Sequence, residues 1–195
     1  MKIKNSKLFF VNKLPVNSDF VICKGLSLLT GENGVGKSSF FNFVKANRSH
    51  FIKNQKIAFM DQFPLSPIND VRVCDAIDLL SRGLTHFYYE DALLLLKDFQ
   101  LEYLVDRPIR QLSGGENQLL KFILLVSQNV DYYFLDEPLQ YIDRSRLDVL
   151  KKKIQNLSYE KSIFLIEHRI ELLEDLNPKR VLMENCASEV RLYGV

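Results

Sequence analysis

Gly31-Glu32-Asn33-Gly34-Val35-Gly36-Lys37-Ser38 fits the pattern G-x-x-x-x-G-K-[ST]. Glycines at these positions let backbone N–H groups turn inward around phosphate oxygens, and a helix that follows adds its positive end. In such a loop Lys37 reaches the β- and γ-phosphates of a nucleoside triphosphate, and the Ser38 hydroxyl ligates Mg²⁺. Further along, Tyr132-Tyr133-Phe134-Leu135-Asp136-Glu137 is an apolar run closed by two carboxylates. Carboxylates at the C-terminal end of a parallel strand face the ligand crevice. Asp136 is placed to hold Mg²⁺, and Glu137 to polarise an attacking water. General-base help of that kind is worth about 10²–10⁴-fold. Between the two, Ser113-Gly114-Gly115-Glu116 reads as the opening of a helix. Its bare N–H groups form an anion site, and Glu116, three residues after Ser113, completes a capping box.

Elements that position these groups follow from periodicity. Lys7 to Val11 and Asp19 to Ile22 read as strands around a Pro15-Val16-Asn17-Ser18 turn, and Leu26 to Leu29 as a strand running into the glycine loop. A helix is expected from Lys37 through Phe40, Phe41 and Val44. Ile57 to Met60 is a short strand. Val71 to Tyr103 has helical spacing. A helix starts after Ser113. Val130 to Leu135 is a buried strand, Arg144 to Ile154 a helix, Ser162 to Ile166 a strand and Arg169 to Leu173 a helix. Val181 to Met183 and Val190 to Tyr193 close the chain as strands. Strands alternating with helices imply a mainly parallel sheet covered on both faces.

The 195 residues suit one domain with a full core. A net charge of +2 is too small to argue for nucleic acid. Cys23, Cys74 and Cys186 are widely spaced and lack metal-ligand spacing, so they read as reduced thiols. The N-terminus has no apolar signal region, and no apolar run approaches the ~20 residues of a membrane helix. Leu119 to Val126 comes nearest, with Lys121 inside it.

Leu112-Ser113-Gly114-Gly115-Glu116 resembles the signature of the ATP-binding cassette (ABC) ATPases, with Glu for the commoner Gln at the fifth position. With the glycine loop and the Asp136-Glu137 strand, in this order, the resemblance covers about residues 20 to 175. It implies an α/β fold: a P-loop NTPase with a RecA-like parallel sheet core, a short antiparallel β region and an inserted helical subdomain. The expected boundaries are a single domain over 1–195, with the catalytic core at about 1–67 and 129–195 and the helical subdomain at about 68–128.

The same resemblance implies an ATPase that uses ATP and Mg²⁺, sandwiching ATP between two cassettes. Gly31, Asn33, Gly34, Val35, Gly36, Lys37, Ser38 and Ser39 would bind the nucleotide. Ser113, Gly114 and Gly115 would grip the γ-phosphate held by the other subunit. Gln62 matches the Q-loop glutamine, touching Mg²⁺ or the lytic water. Asp143, in Leu139-Gln140-Tyr141-Ile142-Asp143, matches the D-loop aspartate linking the two sites, although Gln140 and Tyr141 replace the usual Ser-Ala. His168 matches the switch histidine at the γ-phosphate. Catalysis would thus rest on Glu137, His168 and Gln62, and the metal on Ser38, Gln62 and Asp136. Phe9 or Phe10 would stack on adenine, or else pack in the sheet.

For the load, the expectation is a transporter subunit: a second cassette as homodimer or heterodimer, separate transmembrane permease subunits, no nucleic acid, and a cytoplasmic position on the inner face of the membrane. Phe63, Leu65, Phe87, Tyr88 and Tyr89 would receive a coupling helix, or else fill the helical lobe's own core. The alternative is a soluble ABC ATPase acting on nucleic acid or ribosomes.

Overall fold

A computed structural model of the chain describes residues 2–4, 10–11, 14–47, 55–60, 68–185 and 190–194. Its strands are β1 (Lys2–Lys4), β2 (Phe10–Val11), β3 (Leu14–Val21), β4 (Gly25–Thr30), β5 (Ile57–Met60), β6 (Tyr132–Asp136), β7 (Ser162–Ile166), β8 (Lys179–Asn185) and β9 (Val190–Gly194). Its helices are α1 (Lys37–Ala46), α2 (Val73–Gly83), α3 (Tyr89–Asp98), α4 (Gly114–Val126) and α5 (Arg144–Ser158).

The sheet runs β1-β3-β9-β8-β4-β7-β6-β5, with β2 paired to β3. From β8 through β4, β7 and β6 to β5 every neighbour is parallel. Among the described strands, antiparallel pairing is confined to β1–β3, β2–β3 and β8–β9. The expected parallel core with a short antiparallel region is therefore present. Between β5 and β6 the chain leaves the sheet for α2, α3 and α4, the inserted helical region.

Strands β6 and β7 are buried at every position, as parallel strands covered on both faces must be. Their side chains alternate between two cores. Tyr133, Leu135, Ile163 and Leu165 join the core beneath α5 and the inserted helices. Tyr132, Phe134, Phe164 and Ile166 join the one beneath α1. There Phe41 meets Phe134 edge-on at 5.0 Å and Phe59 stacks on it at 4.7 Å. Such pairs add about 0.5–1.5 kcal/mol each beyond burial. They seat α1, and with it the glycine loop, on the sheet.

Two segments depart from the expected pattern, and a third divides in a way the sequence left open. Pro15 to Ser18 is not a turn but lies within β3, where Val16, Asn17 and Ser18 pair with Val190, Arg191 and Leu192. Pro15 stands near the strand's start, where its missing N–H costs least. The helical spacing from Val71 to Tyr103 is realised as two helices, α2 and α3. They part after Gly83, where Phe87 bridges Gln128 and the Tyr88 N–H donates to the Ser127 carbonyl, drawing the backbone out extended. Ile170–Leu176 is a 3₁₀ helix instead of an α-helix. The apolar run Leu119 to Val126 is the buried part of α4, a core helix of 13 residues.

Candidate active site

The glycine loop joins β4 to α1. Gly31 has φ +144°, and a Cβ there would lie 2.3 Å from the Met183 carbonyl oxygen, so only glycine fits against β8. Gly36, with φ +106°, is the N-cap of α1. No acidic residue stands in the first turn of α1, so its positive end stays open to an anion. Lys37 is buried, and its ammonium donates to the carbonyls of Gly31 at 2.8 Å and Glu32 at 3.0 Å. Burial pushes its pKa below the usual lysine range, against the nearby Glu137 and Asp136 carboxylates, which hold it up.

Opposite the loop, β6 ends at Asp136, and Glu137 follows it. A cleft of about 300 Å³ is lined by Asn33, Gly34, Gly36, Lys37, Ser38 and Ser39 on one side and by Glu137, Ile166 and His168 on the other. His168 Nε2 lies 2.9 Å from Glu137 Oε1. Glu137 has φ +50°, in the left-handed region. A non-glycine residue held there costs on the order of 1–3 kcal/mol, and it persists only where its surroundings over-determine it. Here they do. The Glu137 N–H donates to the Ile166 carbonyl at 2.9 Å, and the Glu137 carbonyl accepts from Gln118 Nε2 at 2.7 Å and from the Gln140 N–H at 3.2 Å. The strain aims the carboxylate at His168 and the loop.

The donor set suits Mg²⁺. The Ser38 hydroxyl and the buried Asp136 carboxylate are hard oxygen donors, and both belong to the elements that meet at this cleft. Among the described residues no group of three or more His, Cys, Asp or Glu could hold a metal alone. Mg²⁺ sites take one or two carboxylates and complete the shell with water and substrate phosphates.

Ser113 caps α4 as expected. Its Oγ accepts from the Glu116 N–H at 3.3 Å, and its N–H donates to Glu116 Oε2 at 2.7 Å. Tyr103 donates to the other Glu116 oxygen at 2.6 Å. Burial pushes the Glu116 carboxyl up, but the Tyr103 and Ser113 hydrogen bonds and the Arg107 charge together outweigh it, leaving it below the usual carboxylate range. Glu at the fifth signature position thus keeps a charged cap. Gly115 abuts the Tyr141 backbone: a Cβ would lie 2.5 Å from the Tyr141 carbonyl oxygen. Ser113 and Gly114 are exposed. Among the described residues, the cleft at Lys37 includes none of Ser113, Gly114 and Gly115.

Asp143 caps α5. Its Oδ1 accepts from Ser145 Oγ at 2.6 Å and the Arg146 N–H at 3.1 Å, and its Oδ2 pairs with the Arg146 guanidinium at 3.1 Å. The Ser145 hydrogen bond first, then Arg146, hold the carboxyl below its usual range in spite of desolvation. Gln62, Phe9, Phe63, Leu65 and the side chain of Phe10 lie outside the described residues.

Sequence reasoning missed Glu167. It is buried, and its carboxylate accepts three backbone N–H groups: Leu139 at 3.2 Å, His168 at 2.9 Å and Arg169 at 3.1 Å. The Arg169 guanidinium donates to the Leu139 carbonyl. The only signal in sequence was an acidic residue at the end of an apolar strand, beside a histidine.

A family model described as ABC transporter matches residues 21–140. An ABC transporter ATP-binding protein of Methanocaldococcus jannaschii is 29% identical over 175 residues, covering 86% of this chain and 28% of its own length. The translation initiation factor RLI1 of Saccharomyces cerevisiae is 27% identical over 177 residues, covering 83% of this chain and 27% of that protein. The chain thus spans little more than a quarter of the length of either. A solved assembly of ribosome-bound archaeal Pelota and ABCE1 contains a chain of like fold, with a TM-score of 0.71 at 23% identity over 91% of this chain and 31% of that one.

These findings correct the expected permease partners and the expected place on the inner face of the membrane. RLI1, covered over 83% of this chain, is named as a translation initiation factor, and one chain of like fold comes from an assembly described as ribosome-bound. Of the residues assigned to a coupling helix, those described are Phe87, which is buried, Tyr89, which packs against the core, and Tyr88, which is exposed. No described helix is long and apolar enough to cross a membrane.

Proposed function

The chain belongs to the ABC transporter family, whose members bind Mg-ATP and hydrolyse it, and from that premise we propose a cassette that works in pairs on a ribosomal particle. We take it as one domain with its core at about 1–67 and 129–195 and a helical subdomain at about 68–128. In this reading Asn33 to Ser39 cradle the triphosphate. Lys37 exchanges its two carbonyl partners for the β- and γ-phosphate oxygens. Ser38 and Asp136 hold Mg²⁺, with Gln62 completing its surroundings. Glu137 takes a proton from the attacking water, and His168, 2.9 Å from it, contacts the γ-phosphate. Ser113, Gly114 and Gly115 close over the nucleotide of the other cassette.

One observation carries the paired reading. The chain builds a loop-and-carboxylate half-site at Lys37 and a separate, exposed, serine-capped helix end at Ser113, and the second does not line the first. A half-site and an anion-binding helix end on one chain are completed by a second cassette presenting the same surfaces.

The ribosomal reading is supported by the likeness to RLI1, a translation initiation factor. Its test is sedimentation of Glu137→Gln with purified ribosomal subunits. Retention that requires Mg-ATP and is absent for Lys37→Ala supports it. A Glu137→Gln protein that binds Mg-ATP yet never co-sediments with either subunit refutes it.

A further inference from the structure

We propose that Glu167 is a positioning residue for the hydrolysis, setting His168 and the Leu139–Asp143 loop as one unit; this rests on the reading of His168 and Glu137 given above. Glu167 follows the last residue of β7 and is 6% exposed. Its two oxygens divide their work. Oε1 accepts the N–H groups of His168 and Arg169, fixing the peptide that carries the imidazole. Oε2 accepts the N–H of Leu139, two residues after Glu137. The Arg169 guanidinium takes the carbonyl of the same Leu139. Leu139 is therefore held at both its N–H and its C=O by the residues flanking His168.

A carboxylate is buried where three convergent N–H dipoles replace its water, and such a site sets geometry sharply. Leu139 is fully buried, so its N–H has no water to turn to if the acceptor is removed. The clip joins two segments that meet only through tertiary structure. One presents the imidazole to Glu137. The other begins at Pro138 and presents Tyr141 to the opening of α4. With the clip intact, His168, Glu137 and the loop keep one relative placement.

Glu167→Gln separates these roles. Its amide oxygen can still accept from His168 and Arg169, while its NH₂ group meets the Leu139 N–H, donor against donor. Steady-state ATP turnover and binding of a fluorescent ATP analogue are measured for the wild type, Glu167→Gln, His168→Ala and the double variant. For Glu167→Gln, affinity and KM stay within about twofold, and kcat falls about 10–100-fold, as a misplaced catalytic group does. The double variant turns over no more slowly than His168→Ala. If Glu167→Gln fails to fold, Arg169→Gln, which removes the grip on the Leu139 carbonyl, carries the same comparison. Wild-type kcat in Glu167→Gln beside a slow His168→Ala overturns this proposal alone, as do losses that multiply in the double variant. Wild-type kcat in His168→Ala overturns the underlying reading of the site, and this proposal with it.

Discussion

Gly115 and Gly114 are neighbours with opposite expectations. A methyl group on Gly115 would lie 2.5 Å from the Tyr141 carbonyl oxygen, roughly 0.9 Å inside the 3.4 Å at which ordinary contact begins. The obstacle is backbone, in a residue already at φ +62°, so no rotamer change relieves it. Overpacking of this sort costs about 1–3 kcal/mol. Replacing a helical glycine with alanine returns about 0.5–1 kcal/mol. The difference spans about 0–2.5 kcal/mol, and a backbone obstacle puts Gly115→Ala in its upper part, about 1–2.5 kcal/mol net, or roughly 2–10 °C in Tm for a chain of this size. On Gly114 the same methyl meets only the Tyr141 ring, at 3.7 Å, which is ordinary contact. Gly114→Ala should be neutral or slightly stabilised. Urea and thermal unfolding of both variants measure the difference. A Gly115→Ala protein as stable as the wild type, or a Gly114→Ala protein that is the weaker, refutes the packing of the 139–143 loop against α4.

Glu116 carries a pH signature. Its folded pKa is depressed, so it contributes stability above its unfolded value of about 4.3, and that contribution is lost as pH falls through the folded pKa. Glu116→Gln should lower stability at neutral pH and show a shallower loss below about pH 4; parallel pH–stability curves would contradict the charged cap. Ser113→Arg should leave binding of the ATP analogue within about twofold while removing turnover if, as proposed, the cap acts on the other cassette's phosphate. Equal loss of binding and turnover would place Ser113 in its own chain's site.

The glycine loop, the β6 carboxylates and the capping box were legible because each is a local device. Residue types a few positions apart determine whether backbone N–H groups converge, and the bounds Lys37, Ser113 and Ser162–Ile166 fall where the sequence puts them. The break between α2 and α3 was not legible, because a bridge from Phe87 to Gln128 decides it. Glu167 was hidden for the same reason: its value lies in a hydrogen bond to Leu139, 28 residues away. Asp143 was assigned by family pattern to the neighbouring cassette, yet its carboxylate also caps α5 and pairs with Arg146. The misread load has a different origin. Partners are chosen by surfaces, and of the two readings open for Phe87 and Tyr89 the packing favours the lobe's own core: Phe87 is buried and Tyr89 is partly buried against it.

The paired site is tested most directly by a structure of Glu137→Gln with Mg-ATP. The Ser113 hydroxyl and the first N–H groups of α4 should lie about 2.7–3.2 Å from the γ-phosphate held at Lys37 of the opposite cassette. A loaded protein in which Ser113 lies far from every triphosphate contradicts it.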